Sequence, residues 1–190
     1  MALWRDGAFA GNSWTTLVDD APAPPSGAIL VSLARWRQER EAFANRADSV
    51  GVEIVAGKDA LEHLAEVADR PLVALRFDKF ADGRAFSYAI LLRERHGFSG
   101  ELRAVGDVLL DEIPLMLRCG FTAFEIVNAP TLRALEQGRL PRLVLAYQPG
   151  LAPGEAPSGT RPWLRRSGAS VHGGAPAGQS SFGGKGIASE

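Results

Sequence analysis

From residue 28 onward, short apolar runs alternate with segments of helical periodicity, and this alternation constrains the fold more than any other feature of the chain. The strand-like runs cover residues 28–31, 52–55, 72–77, 102–105 and 121–127. Strands that alternate with helices of this length are typical of βαβ units and a parallel sheet. We therefore expect an α/β domain with a mostly parallel sheet built from βαβ units, either doubly wound or a partial barrel.

The helices expected between these strands carry apolar residues at three- and four-residue spacings. In chain order they cover residues 33–47, 58–68, 83–95, 111–119 and 131–137. Asp111 is expected to cap the fourth helix, because an Asp side chain accepts hydrogen bonds from first-turn N–H groups. Gly120 is the residue type that usually follows a helix end. A last strand is predicted at 143–147.

The two ends of the chain differ from this middle region. Asp6-Gly7 and Gly11-Asn12 lie between β-prone segments at 3–5 and 14–18, which predicts a small N-terminal hairpin. A proline-rich connection at 21–27 follows it. From residue 148, nearly half of the residues are Gly, Pro or Ser, so this tail cannot bury enough apolar area to offset its chain entropy. The predicted division is 1–27 hairpin and linker, 28–147 α/β domain, and 148–190 disordered tail.

Composition and charge restrict the partners and the compartment. The net charge is -1, so no overall positive field would recruit nucleic acid or acidic lipid. The single cysteine, Cys119, cannot form an internal disulfide, and the N-terminus lacks the pattern of a signal peptide. No apolar run is long enough to span a membrane. We expect a cytoplasmic protein with neither nucleic acid nor membrane as a partner.

The sequence carries no evident cofactor motif. It has no G-x-G-x-x-G after a strand, no phosphate-binding G-x-x-x-x-G-K-[ST] loop and no iron–sulfur cysteine spacing. Cys119 stands alone at a predicted helix end, where the helix dipole disfavours a thiolate, so we interpret it as structural. The three histidines, His63, His96 and His172, are far apart in sequence and indicate no shared site.

The most polar cluster follows the strand at 72–77, where Lys79, Asp82 and Arg84 precede a helix. Asp107 and Asn128 follow the next two strands. The carboxyl ends of parallel strands meet at one edge of a sheet, where ligands bind in open α/β folds and in barrels. Two cations beside a helix start predict a substrate or anion site. The alternative is that Asp82 caps the helix and the charges are merely solvated.

Four of the predicted strands, those at 52–55, 72–77, 102–105 and 121–127, each contain one charged residue, although buried parallel strands are usually continuously apolar. These residues are Glu53, Arg76, Arg103 and Glu125. One explanation is pairing across neighbouring strands, Glu53 with Arg76 and Arg103 with Glu125, since unpaired buried charges are costly. The other is that one face of the sheet is incompletely covered and binds a partner or ligand.

Several blocks between residues 77 and 121 resemble a bacterial domain-of-unknown-function family. The blocks are FDKFADGRAFS at 77–87, LLRE at 91–94, GELRAVGDV at 100–108 and RCGF at 118–121. Members of that family are described as oxidoreductases of sulfite reduction and occur beside genes of sulfate assimilation. The resemblance covers about residues 28–147 and brings no catalytic residues with it.

The resemblance implies an accessory protein of assimilatory sulfate and sulfite reduction that binds sulfite reductase or its electron donor. The missing cofactor motifs favour this role over catalysis. The alternative is a small enzyme, an oxidoreductase in the family's sense, acting on an anionic substrate at the carboxyl-end rim of the sheet. The sequence alone leaves the oligomeric state and the ligand open.

Overall fold

The structure is a computed structural model that describes residues 1–78 and 83–141. It confirms the expected α/β fold with a mostly parallel sheet. The eight strands, β1 to β8, are Ala2–Arg5, Ala8–Ala10, Thr15–Thr16, Ile29–Ser32, Val50–Val55, Leu72–Phe77, Glu101–Gly106 and Ala123–Ile126. The helices, α1 to α6, are Leu33–Gln38, Arg40–Ala44, Lys58–Leu61, Arg84–Glu94, Ile113–Arg118 and Ala129–Glu136, with a 3₁₀ turn at Leu64–Val67.

The strand order in the sheet decides between the two arrangements that the sequence allowed. The order is β2-β1-β8-β7-β6-β5-β4-β3, with β3 to β8 parallel and β1 and β2 antiparallel to their neighbours. A doubly wound sheet needs a reversal in strand order, and β3 to β8 show none. Right-handed crossovers that always step in the same direction place the helices on one face. The sheet is a curled half-barrel.

The short connection between β2 and β3 explains why the sheet curls. These two strands form opposite edges of the sheet, yet only residues 11–14 lie between them. Seven strand spacings span about 34 Å, whereas the five residue steps from Ala10 to Thr15 reach at most about 18 Å. The edges must therefore approach each other, and residues 11–14 cross the concave face.

The two faces of the sheet are packed very differently. The convex face carries the main core, in which Trp36, Phe77 and Phe124 are almost fully buried beneath the helices. Phe121 joins this layer, with its ring centroid 5.8 Å from that of Phe77 and 6.4 Å from that of Phe124. The concave face has a small cluster under Trp14, made of Leu30, Leu72, Ala74 and Val105. Most of the apolar burial therefore belongs to the convex face.

The N-terminal hairpin is present, but its second strand is Ala8–Ala10 and not residues 14–18. Asp6 and Gly7 both have positive φ, 53° and 82°, as a two-residue hairpin turn requires. Thr15 and Thr16 pair instead with β4 at the far edge. The strand β1 also pairs with β8, so the hairpin belongs to the main sheet. The proline-rich connection at 21–27 joins β3 to β4, which are neighbouring strands of that sheet.

Several helix boundaries differ from the prediction, and the expected helix at 58–68 is divided into α3 and the 3₁₀ turn. The expected helix at 33–47 is divided into α1 and α2, because Glu39 leaves the helical region with φ −106° and ψ 22°. The residue preceding α5 is Glu112 rather than Asp111. Glu112 makes no capping hydrogen bond with its side chain, and Pro114 is tolerated in the first turn because an N–H there would have no partner within the helix. The expected helix end is confirmed, since Gly120 has φ +97°.

The predicted strand at 143–147 and the predicted tail at 148–190 lie outside the described residues. In residues 1–78 and 83–141, no helix combines the length and the apolar character that crossing a membrane requires.

Candidate functional site

The four charged strand residues share the concave face of the sheet. Their neighbours along each strand, such as Ile54 beside Glu53 and Leu75 beside Arg76, belong to the convex core. Because side chains alternate between the two faces, the charges point away from the helices. No helix of the described part of the chain covers this face, which agrees with the incomplete coverage that the second explanation requires.

Glu53 and Arg76 form the predicted pair between neighbouring strands. Arg76 Nε donates to Glu53 Oε1 at 2.5 Å, and the side chains are 36% and 14% exposed. This hydrogen bond is the main reason that the pKa of Arg76 is raised, and the charges of Asp78 and Glu125 raise the pKa further. One cation thus lies among three carboxylates, which leaves an excess of negative charge around Arg76.

Arg103 is paired with Glu101 and not with Glu125, so that part of the prediction is wrong. Its guanidinium is 1% exposed, and Nε donates to Glu101 Oε1 at 2.8 Å while Nη1 donates to Asn12 Oδ1 at 3.2 Å. Glu101 lies two residues earlier on the same strand and therefore on the same face. Arg103 is opposite Ala123 in the neighbouring strand, which leaves Glu125 two residues further along.

The concave face consequently has two regions. The covered half lies under Asn12 and Trp14 and consists of Leu30, Leu72, Ala74, Arg103 and Val105. The open half lies towards the carboxyl ends of the strands: Glu53, Val55, Arg76, Glu125 and Val127. In the open half, Val55 and Val127 are each 53% exposed. No described residue packs over this half of the face. A surface that exposes apolar and charged side chains together is a candidate binding surface.

The residues predicted to bind an anion are only partly within the described residues. Lys79 and Asp82 lie outside them. Arg84 is the exposed first residue of α4. Asp107 is exposed and follows β7 at the same edge as the end of β6, where its backbone N–H donates to the Phe77 carbonyl at 2.8 Å. Whether these residues bind an anion stays a prediction.

Asn128, the last of the predicted site residues, caps a helix. Its Oδ1 accepts from both the backbone N–H and the hydroxyl of Thr131, at 3.0 Å each. The side chain lies at the carboxyl end of β8, as expected, but these two bonds occupy the same oxygen. Asp78 and Glu125 lie near Arg76 at this edge, and their negative charges oppose the binding of an anion.

The sequence blocks that carry the family resemblance contain several residues with clear structural roles. Gly106 has φ +92°, and a Cβ there would lie 2.4 Å from the Phe77 carbonyl oxygen. Arg93 donates to the carbonyls of Phe98, Gly100 and Gly120, at 2.7, 3.0 and 3.0 Å, and so ties the end of α5 to the start of β7. These residues hold the βαβ connections together.

Cys119 ends α5 and is buried. Burial raises the pKa of its thiol, and the neighbouring Arg118 charge opposes that rise only in part. A raised pKa leaves the thiol protonated near neutral pH, which agrees with the structural interpretation.

Sequence reasoning missed a group of polar residues at the carboxyl ends of β4 and β5. Ser32 Oγ donates to Asp19 Oδ1 at 2.6 Å, and His63 Nδ1 is 2.7 Å from Glu66 Oε1. These residues are scattered in sequence, so only Ser32 carried a signal, as a serine between a strand and a helix. Across the part of the chain that the structure describes, no three His, Cys, Asp or Glu side chains are grouped to hold a metal ion.

Comparison with known proteins places this architecture in a family. No curated protein matches the chain, and no solved structure does. The family model for bacterial proteins of unknown function, DUF934, matches residues 51–157. This span includes β5 to β8 with Glu53, Arg76 and Glu125, and it covers more than half of the chain. The chain therefore belongs to the DUF934 family of bacterial proteins.

Proposed function

We propose that this protein is an accessory protein of assimilatory sulfite reduction, which binds sulfite reductase or its electron-donor protein through the open half of the concave face. One observation carries the binding role: residues 11–14 cover part of the concave face, and no other part of residues 1–78 and 83–141 covers the open half. The pathway follows from what the family resemblance implies.

The composition of the open half favours a protein partner. Val55 and Val127 offer apolar area whose burial is worth about 25 cal/mol per Å². The Glu53–Arg76 pair is already formed, so a partner need not neutralise either charge. Glu125 and Asp78 add negative charge beside it, which fits a partner surface carrying Lys or Arg. Association should consequently weaken as salt increases.

A binding experiment with purified proteins tests this proposal. The full chain is mixed with assimilatory sulfite reductase, or with its electron donor, and the complex is followed by sedimentation velocity. Glu125→Lys should weaken binding by about tenfold, because it opposes the partner's basic residues. Glu136→Lys is the matched control, since Glu136 is exposed on α6 and distant from the concave face.

Two results would overturn the proposal in different ways. If neither protein forms a complex with the unchanged chain, the partner is wrong. If Glu125→Lys binds as tightly as Glu136→Lys, the surface is wrong. A separate test of the pathway compares the growth of a deletion strain on sulfate with its growth on cysteine. Normal growth on sulfate would show that the protein is not needed for sulfate assimilation.

The second candidate is the small enzyme with an anionic substrate at the carboxyl-end rim. The observation that favours it is position, since Arg84, Asp107 and Asn128 all follow strands at that edge. Inspection of the purified protein for bound flavin or metal is the first test. Titration with sulfite or sulfate should then shift the NMR signals of Asp107 and Asn128, and Lys79→Ala with Arg84→Ala should abolish that response.

A further inference from the structure

A cleft of about 370 Å³ opens at the carboxyl ends of β4 and β5, beside the open half. Its volume falls within the range of about 300–1,000 Å³ that small-molecule sites occupy. The carboxyl ends of parallel strands are also where such sites form, because the loops there are free to differ without disturbing the sheet. Glu53 and Val55 belong both to the open half and to the lining of this cleft, but the function proposed above assigns no ligand to the cleft.

One side of the cleft is apolar. Leu33 and Ala34 of α1 line it, together with Val55 at the end of β5 and Ala60 of α3. Val55 is 53% exposed although it belongs to an inner strand of the sheet. These side chains offer contact to a hydrocarbon body of a few carbon atoms.

The polar side of the cleft consists mainly of hydrogen-bond acceptors. The carboxylates of Asp19, Glu53 and Asp59 line it from three different elements. Ser32 contributes no free donor, because its hydroxyl proton is directed at Asp19 Oδ1 at 2.6 Å. Ser32 Oγ in turn accepts from the backbone N–H of Arg35 at 3.1 Å.

The imidazole of His63 adds another acceptor. Its Nδ1 lies 2.7 Å from Glu66 Oε1, and in the neutral imidazole the N–H that this contact requires leaves Nε2 as the acceptor nitrogen. Arg37 is the one cation that lines the cleft among the described residues, and its Nε is 3.6 Å from Glu66 Oε2. The lining therefore combines three carboxylates and an imidazole acceptor with one arginine that already faces a carboxylate.

We propose that this cleft binds a small molecule with a primary ammonium group on a short apolar body. The positive charge and the N–H donors of the ammonium suit the carboxylates of Asp19 and Asp59, whereas Glu53 is already hydrogen bonded to Arg76. The apolar body contacts Val55 and Ala60. An anion of the same shape would face the same carboxylates and be repelled.

The test compares two probes of equal length and opposite charge on the full chain. Hexylammonium should produce saturable NMR shifts at the backbone amides of Ser32, Val55 and Ala60, whereas hexanoate should leave them unchanged. Equal responses to the two probes, or no saturable shift with hexylammonium, would overturn the proposal. This comparison needs no variant and so does not depend on how well a variant folds.

Variants then locate the site. Asp19→Asn and Asp59→Asn should each weaken hexylammonium binding by about fivefold, since each removes one charge-assisted hydrogen bond. Asp6→Asn is the matched control, because Asp6 lies in the β1–β2 turn at the other end of the strands and Asn tolerates its positive φ. Unchanged affinity in both cleft variants would show that the ammonium binds elsewhere.

Discussion

Each half of the concave face contains an arginine paired with a carboxylate, but the two arginines differ in their exposure to solvent. In the covered half, Arg103 is 1% exposed and is held by Glu101 and Asn12. In the open half, Arg76 is 36% exposed and is held by Glu53. Both arginines lie on inner strands and both have a carboxylate within hydrogen-bond distance. The difference lies in residues 11–14, which pass over one arginine and not the other.

The comparison predicts that the same truncation has different costs in the two halves. Arg103→Ala should lower the free energy of unfolding by about 3 kcal/mol, because it removes a guanidinium that is 1% exposed together with its packing and its hydrogen bonds to Glu101 and Asn12. Arg5, which is 3.0 Å from Glu101, limits the loss. Urea unfolding measures this loss, and a change below about 1 kcal/mol would show that water reaches the covered half.

Removing the cover tests the comparison directly. Trp14→Ala should cost about 2 kcal/mol, less than a fully buried tryptophan, because Trp14 is only partly buried against Leu30, Leu72 and Val105. The same variant should expose the covered half, and faster hydrogen exchange at the amides of β6 and β7 would report this. Unchanged exchange would mean that residues 11–14 do not protect this face.

The matched truncation in the open half should have a small effect. Arg76→Ala should change the free energy of unfolding by less than about 1 kcal/mol, since the Arg76 side chain is 36% exposed and water screens its pair with Glu53. Thermal unfolding beside Arg103→Ala gives the ratio of the two costs. A loss as large as that of Arg103→Ala would remove the distinction between the halves.

The smallest effect is expected at the exposed valines. Val127→Thr should alter stability by less than about 0.5 kcal/mol, because surface substitutions of this kind rarely do more. It should nevertheless weaken the proposed partner complex, in which the valine would be buried. A stability loss above 1 kcal/mol would show that Val127 already packs against the protein itself.

The central part of the fold was predictable because its signals are local. Each strand from β4 to β8 is an apolar run followed by a helical segment, and right-handed crossovers then determine their neighbours. The positions of β1 and β3 were not predictable in this way. Arg5 of β1 pairs with Ala123, and such a distant pairing leaves no pattern in either segment. The choice between a doubly wound sheet and a partial barrel depended on the order of β3 to β8, which no local pattern in the sequence gives.

The candidate site was predictable in part. The charges of Glu53 and Arg76 stood out within apolar strands, and their pairing followed from the cost of isolated charge. Which charges are covered depends on the path of residues 11–14, which no periodicity encodes. The cleft combines Asp19, Ser32 and His63 from three elements, and their proximity exists only after the sheet has curled.

Residues 11–14 connect the two edges of the curved sheet in the way that a chord connects the ends of an arc. The number of strands determines the length of the arc, and the four residues limit the chord, so together they set the radius of the groove. Each residue inserted there would lengthen the chord by up to about 3.5 Å and flatten the curve. The width of the groove, and hence the size of a partner that fits it, is determined in this protein by the length of a loop rather than by the identity of a side chain.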